Sequence, residues 1–530
     1  MFQLTIDHLL WRMRNIHPRS FAVDVAARDD SRTRRSFPEV AARAEHLSAY
    51  LYAELGIGVG DVVGVLGFNT SEHLEALFAV PRIGATVNSL NVRLSAEALA
   101  EQALSPRPSV VLFDSAMLDH LVLGDSACRL VENLNRQRIP LVAIGTCDVS
   151  SFAANTYLSY EDLIAEGQDL EVPPGVDDEN LTAYLFHTSG TTGRPKMYPV
   201  SHRAVMLHAL AQSSADATGL TRRDVVMPIA PFFHVNGWGL PFTSTLTGAS
   251  LVLCGGDLAA VRIGRLLSEE DVTAAAAVPT VWHDVCAAVA AGQAPAPRNL
   301  RTAFTGGSGV SRSVADAVTT VLGAHLVNAW GMTETMACST YERDQPCESA
   351  GNPIPLVEIR IDTREFIHDG SGRERGRLQV RGPFVVGAPL SGSDWLDTGD
   401  IASIDDNGKL ALHDRDKDLI KSGGEWIATA ELEQHLCEHP AITGAAVVAV
   451  PDPRWTERPY AYLTVLPGVD RQELFADLRS HIRQRFPRWW TPDRFVVLDE
   501  FPMTSVGKVD KARVRQLARS QSQLVKEAMA

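Results

Sequence analysis

Short apolar runs alternate with amphipathic stretches at a steady pitch from residue 37 to about residue 280. This alternation constrains the fold of the 530-residue chain more than any other feature. Residues 37–55 carry Val40, Ala41, Ala44, Leu47 and Leu51 near helical spacing, which predicts a helix. Residues 61–67, 109–114, 140–144, 250–253 and 275–278 read as buried strands, and Ser71 is placed to cap a helix running to about residue 83. Strand–helix alternation of this kind predicts α/β layers built on largely parallel sheets.

The texture changes near residue 350. Residues 357–361, 377–381 and 401–404 are short alternating segments that predict antiparallel strands, with a hairpin turn at Asp405-Asp406-Asn407-Gly408. A charged run, His413 to Asp418, reads as a linker. Beyond it lies a compact module: a helix at 430–436, strands at 444–450 and 460–466, a helix at 471–486 and a last helix from 511. The expected fold is therefore α/β. It has a large N-terminal domain of layered sheets (residues 1–413) with a small β-barrel-like subdomain. A hinge (414–418) leads to a small α+β C-terminal domain (419–530).

The net charge of −15 argues against non-specific binding to nucleic acid or to an anionic membrane surface. No apolar run is long enough for a membrane span, and no signal-like start is seen. The seven cysteines are scattered and show no zinc spacing, which suits a reducing cytoplasmic setting.

One stretch carries chemistry on its face. The apolar run Tyr184–Phe186 gives way to Thr188-Ser189-Gly190-Thr191-Thr192-Gly193-Arg194-Pro195-Lys196. Glycines let the backbone approach a ligand closely, hydroxyls and successive N–H groups can cradle an anion, and the lysine adds a point charge. The spacing is not that of a Walker loop.

Four more segments follow in order: Trp330-Gly331-Met332-Thr333-Glu334-Thr335, Trp395–Asp400 with its Thr-Gly-Asp, Asp414–Trp426, and Pro502–Lys508. Together with the 188–196 loop they resemble the adenylate-forming superfamily of acyl-CoA synthetases, luciferases and adenylation domains, most of all its medium- and long-chain fatty acyl-CoA ligases. The resemblance spans essentially the whole chain. It implies an ATP-dependent ligase that activates a carboxylic acid, medium-chain or aromatic, as acyl-AMP and transfers it to CoA. It also implies roles residue by residue. Thr188 to Gly193 and Lys196 would hold phosphates. Gly307, Ser308, Trp330, Gly331 and Met332 would line the nucleotide, with Asp400 and Arg415 at the ribose. Glu334 would be the magnesium ligand, and Lys508, Glu334, His234 and Thr333 the catalytic set. His234, Val235, Trp238, Gly307 and Met332 would face the acid. Ser422, Gly423, Gly424, Glu425 and Trp426 would line the thiol channel, with Lys417 as the pivot of a mobile C-terminal domain. The partners implied are small molecules, and a homodimer is allowed.

The chain also departs from this pattern. Met197-Tyr198-Pro199 follows Lys196 where the pattern has glycine and aliphatics, Gly351-Asn352-Pro353 lacks a basic residue, and residues 382–394 are short. Two alternatives therefore stay open. One is a diazotase that adenylates nitrite and delivers it to an aryl amine. The other is a catalytically silent nucleotide-binding homologue.

Overall fold

The structure is a computed structural model that describes residues 2–120, 122–145, 157–188, 196–367, 375–387, 394–504 and 509–529. Among the described residues the strands form four sheets. One runs, edge to edge, through Leu158–Ser159, Leu141–Ile144, Val110–Asp114, Val62–Leu66, Thr86–Leu90, Thr182–Thr188 and Lys196–Ser201. Its pairings are parallel up to Thr182–Thr188, which pairs antiparallel with Lys196–Ser201. A larger sheet is parallel from His325–Trp330 through Thr302–Gly306, Ala274–Ala276, Val225–Pro228 and Ser250–Leu253 to Phe21–Val25, with antiparallel strands at both edges.

These strands are nearly continuous in Val, Leu and Ala because both sheet faces are covered. The helices Phe37–Ala53, Ser71–Arg82, His202–Gln212 and Leu240–Thr247 fill the space between the two sheets, so one core joins Val63, Val87 and Tyr184 to Leu251, Phe304 and Val327. Ala96–Leu104 and Gly124–Arg136 cover the outer face of the first sheet. Ala260–Glu269, Pro279–Ala290 and Arg312–Leu322 cover that of the second. The expected layers are present.

Several boundaries differ from the sequence reading. The helix Ser71–Arg82 is capped by Thr70, whose hydroxyl accepts from His73 N–H, while Ser71 N–H is taken by the buried Asp24 carboxylate. The strand expected at 275–278 is Ala274–Ala276, because Val278 caps the next helix and Pro279 opens it. The subdomain is an antiparallel sheet of Glu358–Ile367, Arg375–Arg381, Leu396–Ile404 and Leu410–Arg415. Among the described residues its outer strands, Glu358–Ile367 and Leu410–Arg415, do not pair with each other, so the hydrogen-bonded path does not close into a barrel.

The polar run at 413–418 is no loose tether here. Asp414 is buried and accepts the N–H of Thr429 and Ala430, two first-turn donors of the helix Thr429–Cys437 that have no partner within the helix. Asp416 pairs with Arg377, and Asp418 with Arg515. The C-terminal module then pairs Ile442–Asp452 with Thr456–Val465 and packs Thr429–Cys437 and Arg471–Arg485 onto them around Leu432, Leu463 and Leu478. Ile401 of the subdomain belongs to the same cluster, so the two parts share a core in this arrangement.

Candidate active site

Ligand sites in open α/β sheets lie beyond the carboxyl ends of the strands. Three such ends converge on the residues singled out by the sequence. Thr302–Gly306 runs out into Gly307 and Ser308, both exposed, with Gly307 at φ +84°. His325–Trp330 runs into the 331–339 turn, and Thr182–Thr188 into the loop at 189–195. Ser189, Gly190, Thr191, Thr192, Gly193 and Lys508 lie outside the described residues. The loop's two ends do not: Thr188 and Lys196 stand directly opposite each other in antiparallel register, and Lys196 is exposed.

The 330–339 turn is tightly specified. Met332 N–H donates to Thr335 Oγ1 at 3.1 Å, Ala337 N–H to Met332 O at 3.0 Å and Ser339 N–H to Trp330 O at 2.7 Å. A Cβ on Gly331 would fall 1.1 Å from Ala337 O, so only glycine fits. The turn presents different groups on its two sides. Trp330 is 5% exposed, and its indole N–H donates to Asp400 Oδ2 at 3.0 Å. Asp400 is itself buried and pairs through Oδ1 with Arg415 Nε at 2.6 Å, Asp400 and Arg415 being register partners on adjacent strands. Trp330, Asp400 and Arg415 thus form one connected group, with the half-exposed Arg415 at its rim.

On the other side stands Glu334, half-buried, its carbonyl receiving Val386 N–H at 2.7 Å. The Tyr198 ring lies beside it: a Cβ on Gly387 would fall 2.9 Å from Tyr198 Cε1 and 3.6 Å from Glu334 Cγ. Burial first, and then the Glu334 carboxylate, push that phenol up to about 12, so it remains a neutral donor. Thr333 and Thr335 are buried, and Met332 packs half-buried against the main core.

The acid-side segment has an unusual backbone. Val235, Asn236, Gly237, Trp238 and Gly239 all take positive φ, from +41° to +74°. Left-handed conformation costs about 1–2 kcal/mol per non-glycine residue, so the surroundings must hold this turn in place. His208 and Gln212 do so. Gln212 Nε2 donates to Trp238 O and to Tyr341 Oη, both at 2.9 Å, and a Cβ on Gly239 would strike the His208 ring at 2.8 Å. His208 Nε2–H in turn donates to Cys338 O at 3.4 Å, joining the 235–239 turn to the 330–339 turn. His234 sits half-buried at the start of the turn, and Trp238 is 7% exposed.

Ser422, Gly423, Gly424, Glu425 and Trp426 form a hairpin in the C-terminal module. Gly423 N–H donates to Trp455 O at 2.8 Å, Ser422 Oγ accepts from Arg458, and Gly424 and Glu425 are exposed. These contacts stay within the module, so the structure does not bring this hairpin to Trp330 or Glu334 by any of them. Lys417 lies exposed in the short turn Asp416–Asp418.

Met197 proves less disruptive than its bulk suggests. It lies in the strand Lys196–Ser201, where no positive φ is required, and it faces away from Lys196 and Tyr198 with 42% of its surface exposed. The sequence reading assigned no role to Tyr198, His208 or Gln212, and it placed Asp414 in a hinge and not at a helix start. For Tyr198 a signal existed. In a hairpin closing at Thr188–Lys196, residue 198 lies on Lys196's face, diagonal to Thr188.

The Glu334 carboxylate, a hard oxygen donor, suits a hard divalent cation. A second cluster, His435, Glu438 and His481 in the C-terminal module, does not suit one. Both imidazoles donate Nε2–H to each other's backbone carbonyls and lie stacked 4.0 Å apart. His435 Nδ1 is already taken by Glu438 Oε2 at 2.8 Å, so both its ring nitrogens are engaged within the protein.

Two layered α/β sheets and a turn that joins a buried indole to a carboxylate–guanidinium pair suit a nucleotide-binding enzyme. The chain belongs to the family of AMP-binding enzymes: residues 15–388 match the AMP-binding enzyme domain, and residues 431–508 its C-terminal domain. It is 37% identical to a long-chain-fatty-acid–CoA ligase of Thermus thermophilus, over 91% of this chain and 90% of that one. It is 32% identical to a medium-chain-fatty-acid–CoA ligase of Ectopseudomonas oleovorans, over 97% and 96%. Among solved structures, an anthranilate CoA ligase in complex with anthranoyl-AMP superposes with a TM-score of 0.82 at 22% identity, covering 97% of both chains.

Proposed function

We propose that the protein is an ATP-dependent acid–thiol ligase. It joins an apolar carboxylic acid, medium-chain or aromatic, to AMP with release of pyrophosphate, then passes the acyl group to the thiol of CoA. The observation that carries this reading is the two-sided 330–339 turn, with Trp330, Asp400 and Arg415 on one side and the half-buried Glu334 on the other. Both reactants of the first half are anions, so the chain must supply positive charge and alignment at the α-phosphate. Asp400 would accept the ribose hydroxyls while Arg415 holds it in place. The 188–196 loop would take the outer phosphates. Glu334 would hold magnesium, which when bound neutralises phosphate charge. Lys508 would bridge the acid oxygen and the α-phosphate.

His234, Val235 and Trp238 would wall the acid side, and the apolar character of that turn supports an apolar acid. The fatty-acid ligases among the relatives support the same class. The 422–426 hairpin and Lys508 belong to one module, so rotation about Lys417 would bring each to the site in turn. Among the described residues no helix is long and apolar enough to cross a membrane. A cytoplasmic location is supported by the acidic charge and by the free cysteines. A homodimer is supported by the exposed rings of Phe2 and Trp11, which pack on the half-buried His8, and sedimentation would check it.

The test is pyrophosphate release from ATP and magnesium across fatty acids of graded length, aryl acids, and nitrite with an aryl amine. Release with medium-chain or aryl acids supports the reading. Release that needs nitrite points to a diazotase, and no release from any mixture sinks the enzyme reading.

A further inference from the structure

The left-handed turn at 235–239 is held from two sides. Its own segment supplies the first hold: Asn236 Nδ2 donates to Phe232 O at 3.1 Å, and Gly237 N–H to Pro231 O at 3.2 Å. Gln212, at the end of the helix His202–Gln212, supplies the second from 26 residues away. Its side chain is buried, and both amide hydrogens have acceptors, Trp238 O and Tyr341 Oη, each at 2.9 Å. Its Oε1 accepts from the buried Thr243 hydroxyl at 2.6 Å. The Trp238 carbonyl can only accept, so it fixes which end of the amide faces the turn, and Thr243 holds the other end. The Gln212 main chain is anchored as well, since its carbonyl accepts from Thr218 Oγ1 at 2.6 Å.

This arrangement joins the acid side of the site to the nucleotide side. His208 and Gln212 are four residues apart and share one helix face. Gly239 lets the turn press on that face, for a Cβ there would lie 2.8 Å from the His208 ring and 3.1 Å from Gln212 Oε1. Tyr341 pairs in register with Ala329, the neighbour of Trp330. Gln212 therefore spans from the main chain of Trp238 to the strand that lies beside Trp330. An apolar side chain of the same length would fill this space without a buried amide to satisfy, so packing alone does not account for glutamine. Trp238 sits at φ +59°, a conformation that a residue with a Cβ keeps only when its surroundings hold it.

We propose that Gln212 is a positioning residue for the acid: by fixing the main chain of Trp238 relative to the strand beside Trp330, it sets how deeply an acid can sit next to the nucleotide, and so which chain lengths are adenylated. This rests on the reading of residues 234–238 as the wall of the acid site. A small displacement of that wall is enough to change selection, because misplacing a reactant by about 1 Å costs up to roughly a hundredfold in rate.

The experiment compares wild type with Gln212→Met, Thr243→Val and Thr245→Val. Thr245 donates to Pro241 O at 2.9 Å, a buried bond that does not involve Gln212, so its variant is the control for lost stability alone. Pyrophosphate release gives KM and kcat for hexanoate, octanoate, decanoate, dodecanoate and benzoate, and KM for ATP. Melting curves and amide hydrogen exchange across residues 234–240 are measured on the same preparations. Gln212→Met is expected to raise the KM of the best acid about tenfold, to leave the KM of ATP within about twofold, and to favour longer acids relative to shorter ones. Exchange across the turn should quicken. Thr243→Val, which frees the amide to turn, should shift the same quantities in the same direction by less, and it decides the matter alone if Gln212→Met does not fold. Thr245→Val should keep the wild-type acid profile. An unchanged acid profile in the Gln212 and Thr243 variants would overturn the inference while the ligase reading stands. So would a rise in the KM of ATP equal to that of the acid, or the same change in Thr245→Val, either of which marks a merely structural role. A wild type that releases pyrophosphate with none of these acids would sink the ligase reading and this inference with it.

Discussion

Asp400→Asn probes the nucleotide side of the site with almost no change of shape. The carboxylate accepts from a buried indole N–H at 3.0 Å and from Arg415 Nε at 2.6 Å. An amide offers one oxygen and one NH2, so one of these donors must face another donor. If the oxygen turns to Arg415, the Trp330 N–H is left buried and unpaired, at a cost of about 1–3 kcal/mol. If it turns to Trp330, Arg415 is half exposed and can turn to water, and the pair's loss costs about 1 kcal/mol or less. The second arrangement is cheaper, so the free protein should lose about 1 kcal/mol or less. At roughly 2–4 °C per kcal/mol, that is a melting shift of at most a few degrees. Nucleotide binding should suffer more, because the ribose hydroxyls lose a charged acceptor worth about 1.5–3 kcal/mol, or roughly 10- to 100-fold in affinity. Differential scanning calorimetry and ATP titration read the two effects separately. An Asp400→Asn protein that melts like wild type and binds ATP equally well would refute the reasoning. Arg415→Ala, by contrast, should leave the melting temperature within about 2 °C.

Other perturbations have equally definite outcomes. Gly331→Ala drives a Cβ into the Ala337 carbonyl and should destabilise the turn by about 3 kcal/mol, read as loss of ATP binding together with a lower melting temperature. His202 is fully buried, accepts from Ile6 N–H at 3.2 Å, and is pushed down to about 4 by burial. The unfolded imidazole takes a proton below about 6.5 while the folded one refuses it until about 4. Its contribution to stability is therefore present above that upper value and lost as pH falls through the window. His202→Asn, which keeps an acceptor for Ile6, should flatten the acid side of the stability curve by about 1.4 kcal/mol per pH unit in urea titrations. Lys508→Ala should abolish adenylate formation but spare thiol transfer from a synthetic acyl adenylate. Equal loss of both would break the division of labour between the two faces of the C-terminal module.

Much of this site was legible because its parts are local. Gly331 and Glu334 stand in one short segment, and the strand ending at Thr188 is a plain apolar run broken by glycines and hydroxyls. The layered sheets followed from the same local periodicity. What stayed hidden depends on partners far along the chain. Nothing near Tyr198 announces that its ring will lie beside Gly387 and Glu334, since that proximity exists only once distant segments are packed together. His208 and Gln212 look like ordinary polar interruptions of a helix until the left-handed turn at 235–239 is placed against them. Asp414 reads as one charge in a solvated run, yet its carboxylate is buried against the first turn of a later helix. The open edge of the subdomain sheet was likewise beyond reach, because alternation reports which residues face a core and not whether the outer strands meet.

The central claim is that this site makes a thioester by way of an adenylate. The direct measurement is mass spectrometry of a single reaction containing the protein, ATP, magnesium, CoA and a medium-chain or aromatic acid. AMP and acyl-CoA formed in equal amounts, with acyl-AMP accumulating when CoA is left out, is the expected result. AMP formed without any thioester, or a thioester formed without AMP, would contradict it.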